Sequence, residues 1–289
     1  MTAGAALAQG TQLLEEAGIA VPRLTAEVLL AFAMNCEREH FYAHPERELS
    51  DVEWLHFGRY LHERMRGKPT QYITHRQEFY GREFRVTPDV LIPRPETEHV
   101  VEVALKRWQA ESPAPPGPAR ILDIGTGSGA LAVTLALETG AETWATEISP
   151  AAASVAACNA QTLGANVHIL VCDVAAAIAP GSMGLIVANP PYVPLGQREG
   201  LQREVRDYEP HNALFAGPTG LEIYSRIVAD APRVLRPGGW LIMELGFGCE
   251  AGVRELLEGW LEIEVTSDLA GIPRVITARV GRVKALPAE

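Results

Sequence analysis

Over residues 1–72, apolar side chains recur at helical spacing. Trp54, Phe57, Leu61 and Met65 follow one another at intervals of three or four residues, and the segment LTAEVLLAFAM, which begins at Leu24, carries a second apolar stripe. Stripes of this kind normally form the core of a helical bundle. We therefore predict a small helical domain over residues 1–72 and assign these stripes no cofactor role.

The pattern changes after Gln71. The segment EFYGREFRVTPDVLIPRPE alternates aromatic and β-branched residues with polar ones and ends in prolines. This alternation predicts a β-hairpin. We place the hairpin in residues 73–95, as a linker between two domains.

From residue 96 onward, helical and strand patterns alternate. ETEHVVEVALKRWQA is helical, and ESPAPPGPA (residues 111–119) is typical of a solvated loop. Apolar runs typical of strands follow at residues 121–124, 143–146, 167–171, 185–188 and 240–244, and the tail adds WLEIEVTS and RVITARV. Helical segments separate most of these runs. Residues 96–289 are therefore predicted to form an α/β domain with a mostly parallel sheet of seven strands, covered on both faces.

Charge and cysteine spacing exclude several classes of function. The chain has 25 Lys and Arg against 36 Asp and Glu, a net charge of −11. A protein that binds duplex DNA through its phosphates needs a surplus of cations, so we expect no direct nucleic-acid binding. The four cysteines (Cys36, Cys158, Cys172 and Cys249) form no CxxC pair, so we expect no metal site.

The N-terminal segment MTAGAALAQGTQLLEEAG lacks the basic start and sustained apolar core of a signal peptide. No run of about 18 apolar residues, the length that spans a membrane, occurs in the sequence. We expect a cytoplasmic, monomeric protein without membrane contact.

A glycine-rich loop, DIGTGSG, follows the first strand of the α/β domain and precedes the helical ALAVTLALE. Glycines at such a turn let the backbone approach a ligand closely. The loop fits a dinucleotide, whose pyrophosphate would lie at the helix N-terminus, and it fits S-adenosylmethionine, which carries a cationic sulfonium and an amino group. Asp123 favours the cationic ligand. The residues assigned to cofactor binding are Asp123, Gly125, Thr126, Gly127, Ser128 and Gly129.

Two further acids end the next strands. Glu147 stands where an acid accepts hydrogen bonds from ribose hydroxyls, which both candidate ligands carry. Asp173 closes the third strand; it either accepts from the adenine amino group, with Val174 beside the ring, or caps a helix.

The fourth strand runs into the tetrad NPPY, residues 189–192. Ligands in such folds lie at the carboxyl ends of the strands. The prolines fix φ and remove two backbone donors, so the Asn189 side-chain oxygen and the Pro190 carbonyl are placed to accept from one –NH₂ group, with Tyr192 against its plane. Two fixed acceptors favour negative charge on a poorly nucleophilic nitrogen and aim it at the methyl group. The tetrad indicates methylation of an amino group and leaves open whether adenine N6, cytosine N4 or glutamine N5 is the target.

Taken together, the motifs resemble those of the release factor glutamine methyltransferase family. The matching segments cover almost the whole chain: PRLTAEVLL, GKPTQYITHRQEFYGREFRV, VLIPRPETE, DIGTGSGALAV, NPPYVP, YEPHNALFAGPTGLEIYSRI and DLAGIPRVITAR. The resemblance implies a Rossmann-like class I methyltransferase fold, with S-adenosylmethionine as donor and S-adenosylhomocysteine as product. It implies methylation of the glutamine side-chain nitrogen in the Gly-Gly-Gln loop of peptide chain release factors, which modulates translation termination. We expect the N-terminal domain to recognise that partner.

Residue by residue, the resemblance places donor contacts on residues 125–129, Glu147, Val174 and Asn189. It places substrate contacts on Asn189, Pro190, Pro191 and Tyr192, and residues 92–98 (IPRPETE) at the mouth of the cofactor pocket. Two positions depart from the family pattern. Glu147 replaces a more usual Asp, and Val174 replaces a larger apolar residue in many members, which implies thinner packing against adenine.

Three alternatives remain from the sequence. A related enzyme class methylates glutamine in a ribosomal protein, but its proline motif is a variant of IPRPETE, so the unmodified motif here favours release factors. A nucleic-acid adenine methyltransferase is disfavoured by the net charge and the lack of a base-recognition insert. A non-enzymatic nucleotide-binding module would need the glycine loop but not NPPY.

Overall fold

The computed structural model describes residues 1–110 and 120–281. The predicted solvated loop at residues 111–119 lies outside the described residues. In chain order the helices are α1 (Ala3–Glu16), α2 (Pro22–Met34), α3 (Glu39–Ala43), α4 (Asp51–Met65), α5 (Thr70–Thr74), α6 (Glu98–Ala110), α7 (Ala130–Thr139), α8 (Pro150–Leu163), α9 (Arg203–Tyr208), α10 (His211–Leu214), α11 (Glu222–Val234) and α12 (Glu250–Leu256). The strands are β1 (Arg76–Phe79), β2 (Arg82–Arg85), β3 (Arg120–Ile124), β4 (Glu142–Glu147), β5 (Val167–Val171), β6 (Met183–Ala188), β7 (Val193–Pro194), β8 (Phe215–Gly217), β9 (Leu235–Glu244), β10 (Leu261–Ser267) and β11 (Pro273–Arg279).

The smaller of two compact units is helical and comprises Met1–Arg76 together with Gln202–Tyr208. In α1, a Cβ built on Gly10 would come within 2.6 Å of the Phe57 ring of α4, so the missing side chain allows these helices to pack closely. Phe57 and Leu61 are buried, and Trp54 and Met65 pack against the same core. The predicted helical stripes are therefore core.

Three interactions hold the ends of helix α4 and the segment Gln202–Tyr208 in place. Helix α4 begins with a capping box, in which Ser50 and Glu53 each bond the other's backbone amide. Near its other end, Arg64 lies 2.7 Å from Glu204, and the Tyr208 hydroxyl donates to the Arg66 carbonyl at 3.1 Å. These bonds attach Gln202–Tyr208 to the helical unit.

The larger unit comprises Gln77–Leu201 and Glu209–Glu289 and contains a seven-stranded sheet of order β10-β11-β9-β6-β3-β4-β5. The strands from β9 to β5 are parallel, whereas β11 is antiparallel to both β9 and β10. All seven predicted strands are present, and the prediction of a mostly parallel α/β sheet is confirmed. Strand order reverses beside β3, so ligands are expected at the carboxyl ends of β3 and β6.

The predicted hairpin is formed by β1 and β2. Phe79 and Phe84 meet edge to face with ring centroids 6.0 Å apart, and both are buried in the cluster that contains Val100 and Val101 of α6. The hairpin rings are thus part of the larger unit's core.

Alternate residues along β3 and β6 face opposite sides of the sheet. Leu122 and Ile186 belong to the cluster packed by α11, whereas Ile121 and Leu185 belong to the cluster that α6 and α7 cover. Both faces are therefore buried, as the apolar strand sequences predicted. None of the described helices has the length and apolar character needed to cross a membrane.

Candidate active site

The glycine loop joins β3 to α7 and is anchored by β4. The amides of Gly125 and Thr126 donate to the Thr146 carbonyl at 2.8 and 3.0 Å, and the Gly127 amide donates to the Glu147 carboxylate at 2.9 Å. Gly127 has a φ of 54°, and a Cβ built on it would meet no atom within 4 Å. The loop backbone therefore faces open space that a ligand can approach closely.

Asp123 lies beneath this loop and is only 1% exposed. Its Oδ2 accepts from the Thr126 hydroxyl at 2.6 Å and from the Ala132 amide at 3.2 Å, whereas its Oδ1 is buried without a partner among the described residues. Burial raises the pKa of Asp123 to about 7; the two hydrogen bonds oppose the rise and the charge of Glu147 adds to it. A buried carboxylate oxygen without a partner suits a cationic or N–H-bearing ligand.

Glu147 and Asp173 lie at the ends of the next two strands. The Glu147 carboxylate accepts from the amides of Gly127 and Ser149, both at 2.9 Å. Asp173 forms an ion pair with Arg226 of α11. Val174 follows with a φ of 48°, a conformation that is unfavourable for a β-branched residue.

These residues surround a pocket of about 340 Å³, a volume within the range of small-molecule sites. Of the residues predicted from the sequence, it is lined by Pro93, Thr97, Asp123, Gly125, Thr126, Gly127, Ser128, Glu147, Asp173, Val174, Asn189, Pro190 and Pro191. The structure thus brings the glycine loop, both strand-end acids and the start of the NPPY tetrad into one cavity.

The wall of this pocket is acidic. Asp89, Asp123, Glu147 and Asp173 line it, whereas Arg226 is the one cationic side chain among the described residues of the wall, and it pairs with Asp173. Such a wall attracts a cation and repels a pyrophosphate. Within residues 1–110 and 120–281, no cluster of three or more His, Cys, Asp or Glu side chains could hold a metal ion.

Asn189 leaves the sheet at the end of β6, where strand register decides its neighbours. Ala188 pairs with Ile124 of β3 on one side and with Met243 of β9 on the other. Asn189 therefore emerges between the glycine loop and the residue that follows Met243, which is Glu244.

The nitrogen of the Asn189 side-chain amide is hydrogen-bonded, and its oxygen is available. Its Nδ2 donates to the Thr97 Oγ1 at 3.1 Å, and its Oδ1 accepts no hydrogen bond from the part of the chain that the structure describes. This orientation leaves an acceptor for a ligand –NH₂ group.

Gly129 and Tyr192, which were predicted to contact ligands, are not among the described residues of the pocket wall. A Cβ on Gly246 would lie 2.5 Å from the Tyr192 ring, and one on Gly129 would lie 3.2 Å from the Cβ of Ala156 in α8. Burial raises the pKa of Tyr192 to about 12. In the structure Gly129 allows close packing of α8, and Tyr192 packs beside the pocket.

Sequence reasoning missed several residues around the pocket. The wall also contains Asn212, Ala213, Phe215, Ile223, Arg226 and Ile227. It missed Glu244 as well, which ends β9 beside Asn189 and is 3% exposed. The available signal was an acid at the carboxyl end of an apolar parallel strand.

Known sequences resemble this chain along most of its length. The PrmC N-terminal domain matches residues 5–74, and the methyltransferase small domain matches residues 112–203. A release factor glutamine methyltransferase of Koribacter versatilis is 42% identical over 287 residues, covering 96% of this chain and 99% of the relative. One of Bacillus subtilis is 38% identical over 266 residues, covering 90% and 92%.

Solved structures share the fold at low sequence identity. The human METTL16 catalytic domain, solved with an RNA hairpin, has a TM-score of 0.56 at 16% identity and covers 90% of this chain and 93% of that chain. The Thermus thermophilus 16S rRNA N2 G1207 methyltransferase, solved with AdoMet and guanosine, has a TM-score of 0.51 at 22% identity, covering 71% and 49%. These likenesses identify the class I methyltransferase fold.

Replacing Asp123 tests whether its burial costs stability. The ordinary pKa of an aspartate carboxyl, which applies in the unfolded chain, is 3.8, and the pKa of Asp123 in the folded protein is about 7. Wild-type stability should therefore fall as pH rises between these values and then level off. In Asp123→Asn this fall is absent. The free energy of unfolding of Asp123→Asn relative to wild type, measured by urea titration without ligand, should increase by about 3 kcal/mol from pH 5 to pH 8.

Asp89→Asn, which removes an exposed acid of the same wall, is the matched control. Its free energy of unfolding should depend on pH as that of wild type does. If Asp123→Asn also followed that curve, the raised pKa of Asp123 would be wrong.

Proposed function

The chain belongs to the release factor glutamine methyltransferase family, and on that premise we propose that it methylates the side-chain nitrogen of the glutamine in the Gly-Gly-Gln loop of peptide chain release factors. The observation that carries the proposal is the position of Asn189, whose side-chain oxygen accepts no hydrogen bond from the described residues and lies at the switch point beside the glycine loop. S-adenosylmethionine would supply the methyl group from a positively charged sulfur and would be left as the neutral thioether S-adenosylhomocysteine, while the substrate nitrogen would release one proton to water.

The pocket residues suit this donor. Gly125 and Gly127 leave space for close backbone approach, since a Cβ on either would meet nothing within 4 Å. The Oδ1 of Asp123, which has no partner among the described residues, is suited to the donor's positive charge or amino group. Glu147 is placed to accept from ribose hydroxyls and Asp173 from the adenine amino group, beside Val174.

On the substrate side, Asn189 and the two prolines supply acceptors. The Asn189 Oδ1 and the Pro190 carbonyl would each accept one hydrogen of the glutamine –NH₂ and so orient the nitrogen. They would stabilise the positive charge that develops on that nitrogen as its lone pair enters the new bond. A glutamate at the same position has no hydrogens to donate and would not be held.

We assign recognition of the release factor to residues 1–72. A match to the PrmC N-terminal domain over residues 5–74 supports this assignment, and the named relatives align with this chain over 99% and 92% of their own length. The catalytic cavity alone offers little surface for choosing between proteins that expose glutamine.

The substrate class is tested by offering the wild-type protein competing acceptors. With tritium-labelled S-adenosylmethionine, a release factor should become labelled, whereas duplex DNA, free adenosine and ribosomal proteins should not. A release factor whose Gly-Gly-Gln is changed to Gly-Gly-Glu is the control and should stay unlabelled. Label on DNA or a ribosomal protein, with none on the release factor, would refute the proposal.

Gly127→Val tests the cofactor assignment. A β-branched residue at a φ of 54° strains the loop and places atoms where the ligand would lie; S-adenosylmethionine affinity measured by calorimetry should fall at least about tenfold. Gly140→Val carries a β-branched residue at a similar φ of 66° after α7, away from the pocket, and should bind like wild type. Wild-type binding of NAD without binding of S-adenosylmethionine would overturn the cofactor assignment.

Asn189→Ala removes the proposed side-chain acceptor. Turnover should fall about a hundredfold, since one preorganised group is lost at the reacting nitrogen, while donor affinity changes little. Asn166→Ala, at an exposed position after α8, is the control and should keep wild-type turnover in the same assay. Near-normal turnover by Asn189→Ala would mean that NPPY is only a turn.

A further inference from the structure

At the edge of the pocket, the half-buried Asn189 is linked to two buried polar groups, those of Thr97 and Glu244. The Asn189 Nδ2 donates to the Thr97 hydroxyl at 3.1 Å, and the Thr97 hydroxyl also lies close enough to the Glu244 carboxyl to lower its pKa as a hydrogen-bond donor. Thr97 is 4% exposed and Glu244 is 3% exposed. These three residues come from three separate parts of the sequence, and the parallel pairing of β6 with β9 brings Asn189 beside Glu244.

The segment that carries Thr97 is itself held in place. Arg94 forms an ion pair with Glu209, and the Glu209 carboxylate also accepts from the Ile92 amide at 3.3 Å. Glu209 is 3% exposed. These two interactions with Glu209 therefore hold the segment that carries Thr97 in place beside Asn189.

The single hydroxyl hydrogen of Thr97 decides which way the Asn189 amide faces. A carboxylate at Glu244 can only accept, so Thr97 must donate to it and can only accept from Asn189. The Asn189 –NH₂ group then points to Thr97, and its oxygen points the other way. If Glu244 carries a proton, it can donate to Thr97, Thr97 can donate to the Asn189 oxygen, and the amide can turn over.

The turned-over amide would present hydrogens to an incoming –NH₂ group, which repels it. We propose that Thr97 and Glu244 are positioning residues that hold the Asn189 amide with its oxygen toward the substrate nitrogen. This role rests on the proposed function, because it matters only if that oxygen accepts from the substrate.

The surroundings of Glu244 make its ionisation relevant near neutral pH. Burial raises the pKa of Glu244 to about 7, the hydrogen bond from Thr97 opposes the rise, and its Oε2 has no partner among the described residues. The ionisable side chains that face Glu244 are Arg94, Glu96, Tyr192, Tyr224 and Arg274. The two arginines are engaged by other acids, Arg94 by Glu209 and Arg274 by Asp268.

Variants at Thr97 separate positioning from packing. Thr97→Val keeps the shape and removes the hydroxyl; kcat for release factor methylation at pH 8 should fall about tenfold, as for the loss of one buried hydrogen bond, with S-adenosylmethionine affinity little changed. Thr97→Ser restores the hydroxyl and should recover most of the lost turnover. Thr134→Val, at a fully buried threonine of α7 whose hydroxyl has no partner among the described residues, is the matched control and should behave as wild type.

The dependence of kcat on pH distinguishes positioning from packing, because a residue that only fills space would not change it. Under saturation with both substrates, wild-type kcat should rise through pH 7 as Glu244 ionises. In Glu244→Gln, whose side chain carries no proton that dissociates near neutral pH, that rise should be absent. If Thr97→Val does not fold, the comparison of wild type with Glu244→Gln decides the same question.

Wild-type kcat in Thr97→Val, or an unchanged pH profile in Glu244→Gln, would overturn the positioning role. Failure of the wild-type protein to methylate a release factor would instead refute the proposed function, and it would be seen before any variant is compared.

Discussion

The parallel pairing of β3 with β6 is the constraint on which the site depends. Because Ile124 lies opposite Ala188, the glycine loop and the NPPY tetrad leave the sheet at the same level on neighbouring strands. Strand order reverses at this point, so the loops diverge above it and a cavity opens between them. The pairing of Ala188 with Met243 then adds Glu244 on the far side of Asn189. A shift of one residue in either pairing would turn the apolar side chains to the wrong face of the sheet.

Two acids at this edge are retained at a cost to stability. Asp123 and Glu244 are almost completely buried, and each has one oxygen without a partner among the described residues. Burial raises the pKa of both carboxyls to about 7, so ionising either one in the folded protein is unfavourable. An apolar residue at either position would avoid this cost. Their presence is explained by function, since one faces the cofactor pocket and the other adjoins the Asn189 network.

Much of this architecture could be predicted from the sequence, because the spacing of apolar residues and the residue types found in turns are local features. A few consecutive residues are enough to recognise each of the seven apolar strands, the glycine turn and NPPY. The Thr97–Glu244 pair could not be predicted in the same way, since its members are distant in sequence and meet through sheet register. For Tyr192 the motif indicated a substrate contact, which stays a prediction, and only the fold supplies Gly246, the residue against which its ring packs.

In the proposed mechanism, Asn189 and Pro190 together hold the reacting amide. A crystal structure of the protein with S-adenosylhomocysteine and a release factor fragment containing Gly-Gly-Gln measures this directly. We expect the glutamine side-chain nitrogen to lie within about 3 Å of both the Asn189 Oδ1 and the Pro190 carbonyl oxygen, the usual length of an N–H···O hydrogen bond. A glutamine side chain bound away from both oxygens, or an Asn189 amide that presents its nitrogen to the substrate, would contradict the account.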